Sequence, residues 1–502
     1  MPTHARSKGL CLRIDARDES TLQSQIYDGV RRAILDGVLA PGSRVPSSRA
    51  LASDLGVSRT TSLLAYEQLA AEGYLESRRG SGTYVARELP DDLPKVRTTP
   101  TAVTRHPPLS RRGMALAAVP AMGLRIPGPP RPFRIGVPAL DHFPMSLWVS
   151  RVTRRLRSAT LAQLDYTDPS GVPALREAIA EHVSAARGTR CTADQVIVTA
   201  GAQRGVDLMC HMLLDPGDEA WLEEPGYAGA RSALIAAGVR VLPAPVDGDG
   251  VRVDLVARAR RRARLIYVTP SHQFPLGVPM SLARRLALLR WASDTRAWIL
   301  EDDYDSEFRY YGTRPIPCLH GLDGDGCVIY VGTFSKHLMP ALRLGFLILP
   351  PDLRERALQI RRTTDLHPQT IDQLALADLI GEGHYDRHLR RIRAVYEERL
   401  RAFEDAAQRY CAGVLRVRPV HTGLHAVADL ETANAERVFE EAYSRGVEVM
   451  PLTAYYADRR KAPNALVLSF ASASPPALVE GMKKLAAAIE AAARPQRVRR
   501  RA

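Results

Sequence analysis

Gly332–Phe346 reads GTFSKHLMPALRLGF. The stretch leaves one apolar, β-branched run, CVIYVGT at Cys327–Thr333, and enters another, LGFLILP at Leu344–Pro350. It therefore reads as the loop between two buried strands. The same alternation extends outward on the N-terminal side through QVIVTAG (195–201), EAWLEEP (219–225), RVLPAPV (240–246), RLIYVTP (264–270) and AWILEDD (297–303), each separated by Ala/Leu/Arg-rich helical stretches. Strands alternating with helices predict a mostly parallel sheet covered on both faces. Beyond it, from about residue 354 to 493, come a long helical region, then HTGLHAVADL (421–430) and NALVLSFA (464–471) as antiparallel strands, and a closing Ala-rich helix. That section reads as a smaller α+β subdomain. The loop also holds an unusual residue: the chain has only six lysines, and Lys336 is the one lysine between Lys95 and Lys461.

A lysine bonded as an imine to pyridoxal phosphate must lie at the mouth of a sheet, with small hydroxylated neighbours and an arginine for the phosphate. Thr333, Ser335, Lys336 and Arg343 supply these groups in one loop. The same chemistry needs a carboxylate on the pyridine nitrogen. ILEDDYDSEFRY (299–310) offers Asp302 and Asp303 at the C-terminal end of an apolar strand, where α/β sheets place ligands. TAGAQRG (199–205) puts Gly201, Ala202 and Gln203 at a strand-to-helix turn whose free N–H groups suit a phosphate. EEPGYAGAR (223–231) sets Tyr227 just beyond a strand end, suited to stacking on a ring, and TPSHQFPLG (269–277) reads as a cofactor-wall loop.

The N-terminal region reads differently. Leu22, Ile26, Val30 and Ile34 form one helical stripe ended by Gly37. Ser47 or Ser48 caps a short helix, Gly56 marks a tight turn and Ser58 caps a second helix running to about Glu72, the form of a helix-turn-helix. Residues 73–77 and 83–85 read as a hairpin wing. Ser58, Arg59, Thr60 and Thr61 open the second helix, where DNA readers face phosphates and base edges; Arg49 and the wing residues Arg78, Arg79, Gly80 and Gly82 add backbone and minor-groove contacts.

Length and composition are consistent with this division. At about 150 residues per domain, 502 residues allow about three domains. A composition 45% hydrophobic and 25% charged is that of an ordinary globular chain. No apolar run approaches the ~18 residues of a membrane span. The N-terminus lacks the apolar core of a signal peptide, so a cytoplasmic protein with no membrane partner is expected. Six scattered cysteines without a C-x-x-C pair suggest neither a disulfide framework nor a metal site. His320, His421 and His425 read as packing or hydrogen-bonding residues. The net charge of +14 suggests a polyanionic partner. Its excess is concentrated in residues 87–160, with thirteen basic against four acidic residues, and in a tail with five arginines at 494–501.

Residues 22–85, through VPSSR, LGVSRTT, AYEQLAAEGYL and GSGTYV, resemble the winged helix of the GntR family of bacterial transcription regulators. Roughly residues 133–490, with YTDPSGVPALREAI near Tyr166, resemble the fold-type I, class I aminotransferases. The two in this order, with a long linker, resemble the MocR subfamily of GntR regulators. The resemblance implies a winged-helix DNA-binding domain at 20–86, a Pro/Arg-rich flexible linker at 87–132, a pyridoxal-phosphate-binding aminotransferase-like domain at 133–493 and a basic tail at 494–502. It implies Lys336 as the imine-forming residue, Asp302 as the pyridine-nitrogen partner with Asp303 as the fallback, and Tyr304 as donor to the ring 3-hydroxyl. Arg343 and Thr333 match phosphate ligands, and Tyr227 matches the stacking aromatic. Tyr166 matches a residue that reaches the phosphate from a partner subunit, hence a homodimer. Arg49, Arg59 and Thr61 match DNA-contact positions; the position sometimes held by Arg two residues on is Leu63.

Two positions depart from the aminotransferase pattern: Phe274 stands where those enzymes carry Asn, and Val467 where they carry the Arg that grips the substrate carboxylate. The expected function is a regulator that binds operator DNA, senses an amino acid, an amine or pyridoxal phosphate itself, and controls metabolic genes with little or no turnover. The alternative is an active aminotransferase with an appended DNA-binding domain.

Overall fold

The computed structural model describes residues 3–7, 10–15, 18, 20–78, 81–90, 109–119, 131–259, 261–311 and 316–494. The chain forms two compact units, residues 1–107 and 108–502.

In the first unit the helix Leu22–Leu35 buries Ile26, Val30 and Ile34, the stripe read from the sequence. The helix Ser48–Leu55 starts on the Ser47 side chain and stops at Gly56, whose φ of 67° is the left-handed conformation that glycine adopts without a Cβ clash. The helix Arg59–Ala71 starts on Ser58, which accepts from the Thr61 N–H. Two buried side chains set how these helices cross. The Ser62 hydroxyl donates to the Ser48 carbonyl at 2.7 Å and the Tyr66 hydroxyl to the Pro46 carbonyl at 3.0 Å. The strands Leu75–Arg78 and Gly82–Val85 pair antiparallel as the wing.

One element was not expected from the sequence: Thr3–Ser7 pairs antiparallel with Leu10–Ile14. Leu12 and Ile14 enter the core of this unit, and Gly29 makes room, since a Cβ there would stand 2.6 Å from Leu12 Cδ2. The alternation Leu10, Leu12, Ile14 was the available signal.

The second unit is built on an eight-stranded sheet. Its spatial order is Val196–Thr199, Gly345–Ile348, Val328–Thr333, Trp298–Asp303, Leu265–Val268, Glu219–Glu224, Arg240–Asp247 and Gly250–Val251. Its central strands are parallel, while Gly345–Ile348 runs antiparallel to both neighbours. Four of these strands are buried on both faces, which is why they read as unbroken apolar runs. A second, four-stranded antiparallel sheet pairs His425–Leu430 with Ala465–Ser469, and the helix Pro475–Ala493 closes the chain.

Within the expected linker, residues 111–117 are helical: Arg111–Ala117 starts on the Ser110 side chain, and Arg112 Nη1 donates to the Ala236 carbonyl at 3.2 Å. A Ser cap followed by good helix formers explains it, and seven residues are too few to register as a period. Residues 91–108 and 120–130 of that stretch, the wing residues Arg79 and Gly80, and the tail from 495 lie outside the described residues. Among the described residues no helix is long and apolar enough to cross a membrane.

Candidate functional site

Successive side chains of a strand point to opposite faces, and this separates Asp302 from Asp303 at the end of the Trp298–Asp303 strand, which is buried from Ile299 onward. Asp302 lines a cavity together with Lys336. Its Oδ2 accepts from the Tyr267 hydroxyl, while its Oδ1 is buried without a partner. Burial pushes the Asp302 carboxyl up to about 7, against the pull of the Tyr267 hydrogen bond and with repulsion from Asp303. Asp303 faces the other side, where its Oδ2 accepts from Arg187 Nε at 2.6 Å and from the Tyr330 hydroxyl at 2.9 Å, and its Oδ1 is also buried without a partner.

The Lys336 ammonium donates to the Gly136 carbonyl at 2.8 Å. Thr333 ends its strand and accepts from the Ser335 N–H at 3.1 Å, which folds the loop that presents the lysine. Arg343 and Gly201 face each other at the start of the helix Ala202–Leu213. A Cβ at Gly201 would stand 2.9 Å from Arg343 Nη2, and that nitrogen donates to the Ala200 carbonyl at 3.2 Å. Ala202 and Gln203 complete this end; Gln203 Nε2 donates to the Gly229 carbonyl at 2.8 Å and its Oε1 is buried without a partner. The Tyr227 ring lies nearly parallel to that of Tyr267, with centroids 6.4 Å apart. Tyr304 also lines the cavity, its hydroxyl donating to the His272 carbonyl at 2.9 Å. His272 in turn lies 3.0 Å from the Asp305 carboxylate, and both are buried.

The opposite wall is apolar. Phe274 meets Tyr227, Tyr304, Tyr455 and His425 edge-on, and it shares one buried cluster with Val467 and Leu452. The Phe274 loop is held by buried Glu223, which accepts from the Thr269 N–H and hydroxyl at 3.1 and 2.6 Å. At the same wall Arg134 forms a bidentate ion pair with Glu448, Nη2 to Oε1 at 2.7 Å.

Of the sequence-predicted cofactor residues, Lys336, Asp302, Tyr304, Arg343, Thr333, Tyr227, Ala202 and Gln203 line this one cavity, and Gly201 adjoins it. Tyr166 does not reach it. It is 79% exposed, its ring against His367. Tyr267, His272, Asp305, Arg134 and Glu448 were missed. Tyr267 lies in a strand already read from RLIYVTP, where period-2 alternation was the one clue to its direction.

In the winged helix Arg49, Arg59 and Thr60 are exposed, while the Ser58 and Thr61 hydroxyls bond each other at 2.8 Å. Arg78 is engaged locally, paired with Glu76 at 2.7 Å and lying over the Tyr84 ring. Gly82, at φ 114°, makes room for Arg44, whose Nε would stand 2.9 Å from a Cβ there. Arg44, which the sequence reading passed over, is thereby set at the base of the wing.

Residues 134–485 match the family described as aminotransferase class I and II, and residues 22–85 that described as bacterial regulatory proteins, gntR family. Over 478 residues the chain is 40% identical to the probable rhizopine catabolism regulatory protein MocR of Rhizobium meliloti, covering 95% of each. This chain belongs to the MocR-type GntR regulators. Another relative is the pyridoxine biosynthesis transcriptional regulator PdxR of Corynebacterium glutamicum, 31% identical over 92% of this chain and 95% of that one. The large unit of this MocR-type chain is similar to the α-aminoadipate aminotransferase of Thermus thermophilus, solved with N-(5'-phosphopyridoxyl)-L-leucine. That similarity has a TM-score of 0.66 at 30% identity, over 72% of this chain and 92% of that one. The GntR-type winged helix marks the chain as DNA-binding.

Proposed function

We propose that this MocR-type chain is a transcription regulator that holds pyridoxal phosphate at Lys336 and uses that site to sense a small molecule. The observation that carries this reading is the buried, unpartnered Oδ1 of Asp302 in the cavity that Lys336 also lines. An unpaired carboxylate oxygen in such a place is costly unless a donor meets it, and a protonated pyridine nitrogen is a donor of the right charge. The residues fit the rest of the cofactor. Arg343, Thr333 and the helix start at Gly201, Ala202 and Gln203 would hold the phosphate. Tyr227 would stack on the ring and Tyr304 would face the 3-hydroxyl. Bound there, the cofactor supplies an aldehyde carbon and an electron sink. Asp302 keeps the ring nitrogen charged, and Phe274 and Tyr455 keep water from that side.

The regulator works as a homodimer in this reading. Tyr166 is exposed, with Leu161 at 87% and Leu164 at 63% exposure close by in sequence. Such an apolar surface fits a second copy, whose cavity Tyr166 would then complete. The test is absorption spectroscopy of the purified chain titrated with pyridoxal phosphate. A visible imine band is expected for the natural chain and its complete loss in Lys336→Ala; a colourless natural chain overturns the reading.

A further inference from the structure

The basic side chains lining the cavity are already committed or neutral. Arg343 sits against Gly201 at the helix start, where the reading above gives it the phosphate, and Lys336 is the imine residue of that reading. His425 hydrogen-bonds the Pro275 carbonyl through Nε2, and burial pushes its pKa down to about 3, so the ring is neutral near pH 7. Arg134, the fourth, has its guanidinium fork closed on the Glu448 carboxylate. The wall beside them is Phe274, Tyr455, Met450 and Ile135, with Val467 in the same apolar cluster.

A ligand carboxylate brought into this cavity would lose its water without gaining a bidentate partner, unless Glu448 were first expelled from Arg134. An uncharged hydrocarbon body would instead exchange water for aromatic and aliphatic surface. We infer that the effector is a primary amine with no α-carboxylate and a mainly apolar body, and that the Arg134–Glu448 pair is the device that turns amino acids away. This rests on the cofactor reading above, because it is a carbonyl-bearing site that selects primary amines.

The experiment uses the full chain loaded with pyridoxal phosphate and matched pairs of probes that differ only in the carboxylate: isobutylamine against valine, isoamylamine against leucine, phenethylamine against phenylalanine. Affinities are read by isothermal calorimetry. The amines are expected to bind about tenfold or more tightly than their amino acids, the range of one charge-assisted pairing left unmade. In Glu448→Gln the negative charge held against Arg134 is removed, and the difference is expected to shrink to within about threefold, by a gain for the amino acids. Amino acids that bind the natural chain as well as their amines overturn the inference while the imine band stands. A Glu448→Gln chain that keeps its band and leaves the difference unchanged overturns the role of the ion pair. Absence of the band in the natural chain removes the cofactor reading, and this inference with it.

Discussion

In the winged helix, Ser58 finds its partner three residues away in the Thr61 N–H, and the cap it makes starts the helix that presents Arg59 and Thr60. In the cavity, Lys336 meets a carbonyl 200 residues away at Gly136, Asp302 meets Tyr267 across the sheet, and Arg134 meets Glu448 from a separation of 314 residues. The first region positions its chemistry by local hydrogen bonds at helix ends. The second does so by convergence of strand ends, so each group depends on the packing of the whole sheet. The difference predicts that changes in the cavity act through burial and charge, while changes in the winged helix act through exposed contacts and caps.

The largest expected effect tests burial. The Asp302 carboxyl is held up to about 7 in the folded chain, against an ordinary value of 3.8. Between those values the folded state keeps a proton that the unfolded chain has released. The stability this contributes is full below about pH 4 and is lost as pH rises through about 7. At about 1.4 kcal/mol per unit, the loss reaches at most about 4 kcal/mol. Thermal melts of the cofactor-free chain should therefore fall more steeply from about pH 4.5 to 7.5 than those of Asp302→Asn. Parallel curves would remove burial as the controlling influence. Binding of pyridoxal phosphate, which would set a cation against the carboxylate, should flatten the natural chain's curve.

Next in size is an exposed contact. Arg59 opens the second helix of the winged helix with its side chain in solvent. Arg59→Ala should weaken binding to the chain's own promoter DNA by about 1–3 kcal/mol if the contact is bidentate to a base, roughly a five- to 150-fold loss. The imine band should not change. Affinity within twofold of the natural chain would displace Arg59 from the interface.

The smallest is the cap itself. Ser58→Ala should cost about 1 kcal/mol, seen as faster hydrogen exchange of the Arg59–Ala71 amides in the full chain, with exchange of the Trp298–Asp303 strand unchanged. Slowing or acceleration shared by both regions would contradict the division between local and convergent order.

Much of the fold was legible for a physical reason. Helix stripes, Ser caps, the left-handed Gly56 and the β-branched runs are chemistry within a few residues, and a sequence displays it directly. The N-terminal hairpin was missed because two five-residue strands carry little periodic signal, and the helix Arg111–Ala117 because seven residues sit inside a proline-rich stretch. The site was legible as residue types: a solitary lysine between strands, a pair of aspartates at a strand end, an arginine in the same loop.

What the amino-acid sequence by itself determined was the set of groups and their order along two units, a capped reader helix followed by alternating strands and helices. Strand alternation also required Asp302 and Asp303 to face opposite ways. Only the tertiary structure decided which of them meets Lys336, because the face of a strand that becomes a cavity is chosen by what packs over it. Arg187 and Tyr330 occupy the side of Asp303, and Tyr267 leaves one Asp302 oxygen open. It likewise closed Arg134 on Glu448, since an attraction between charges depends on distance in space and is blind to separation along the chain.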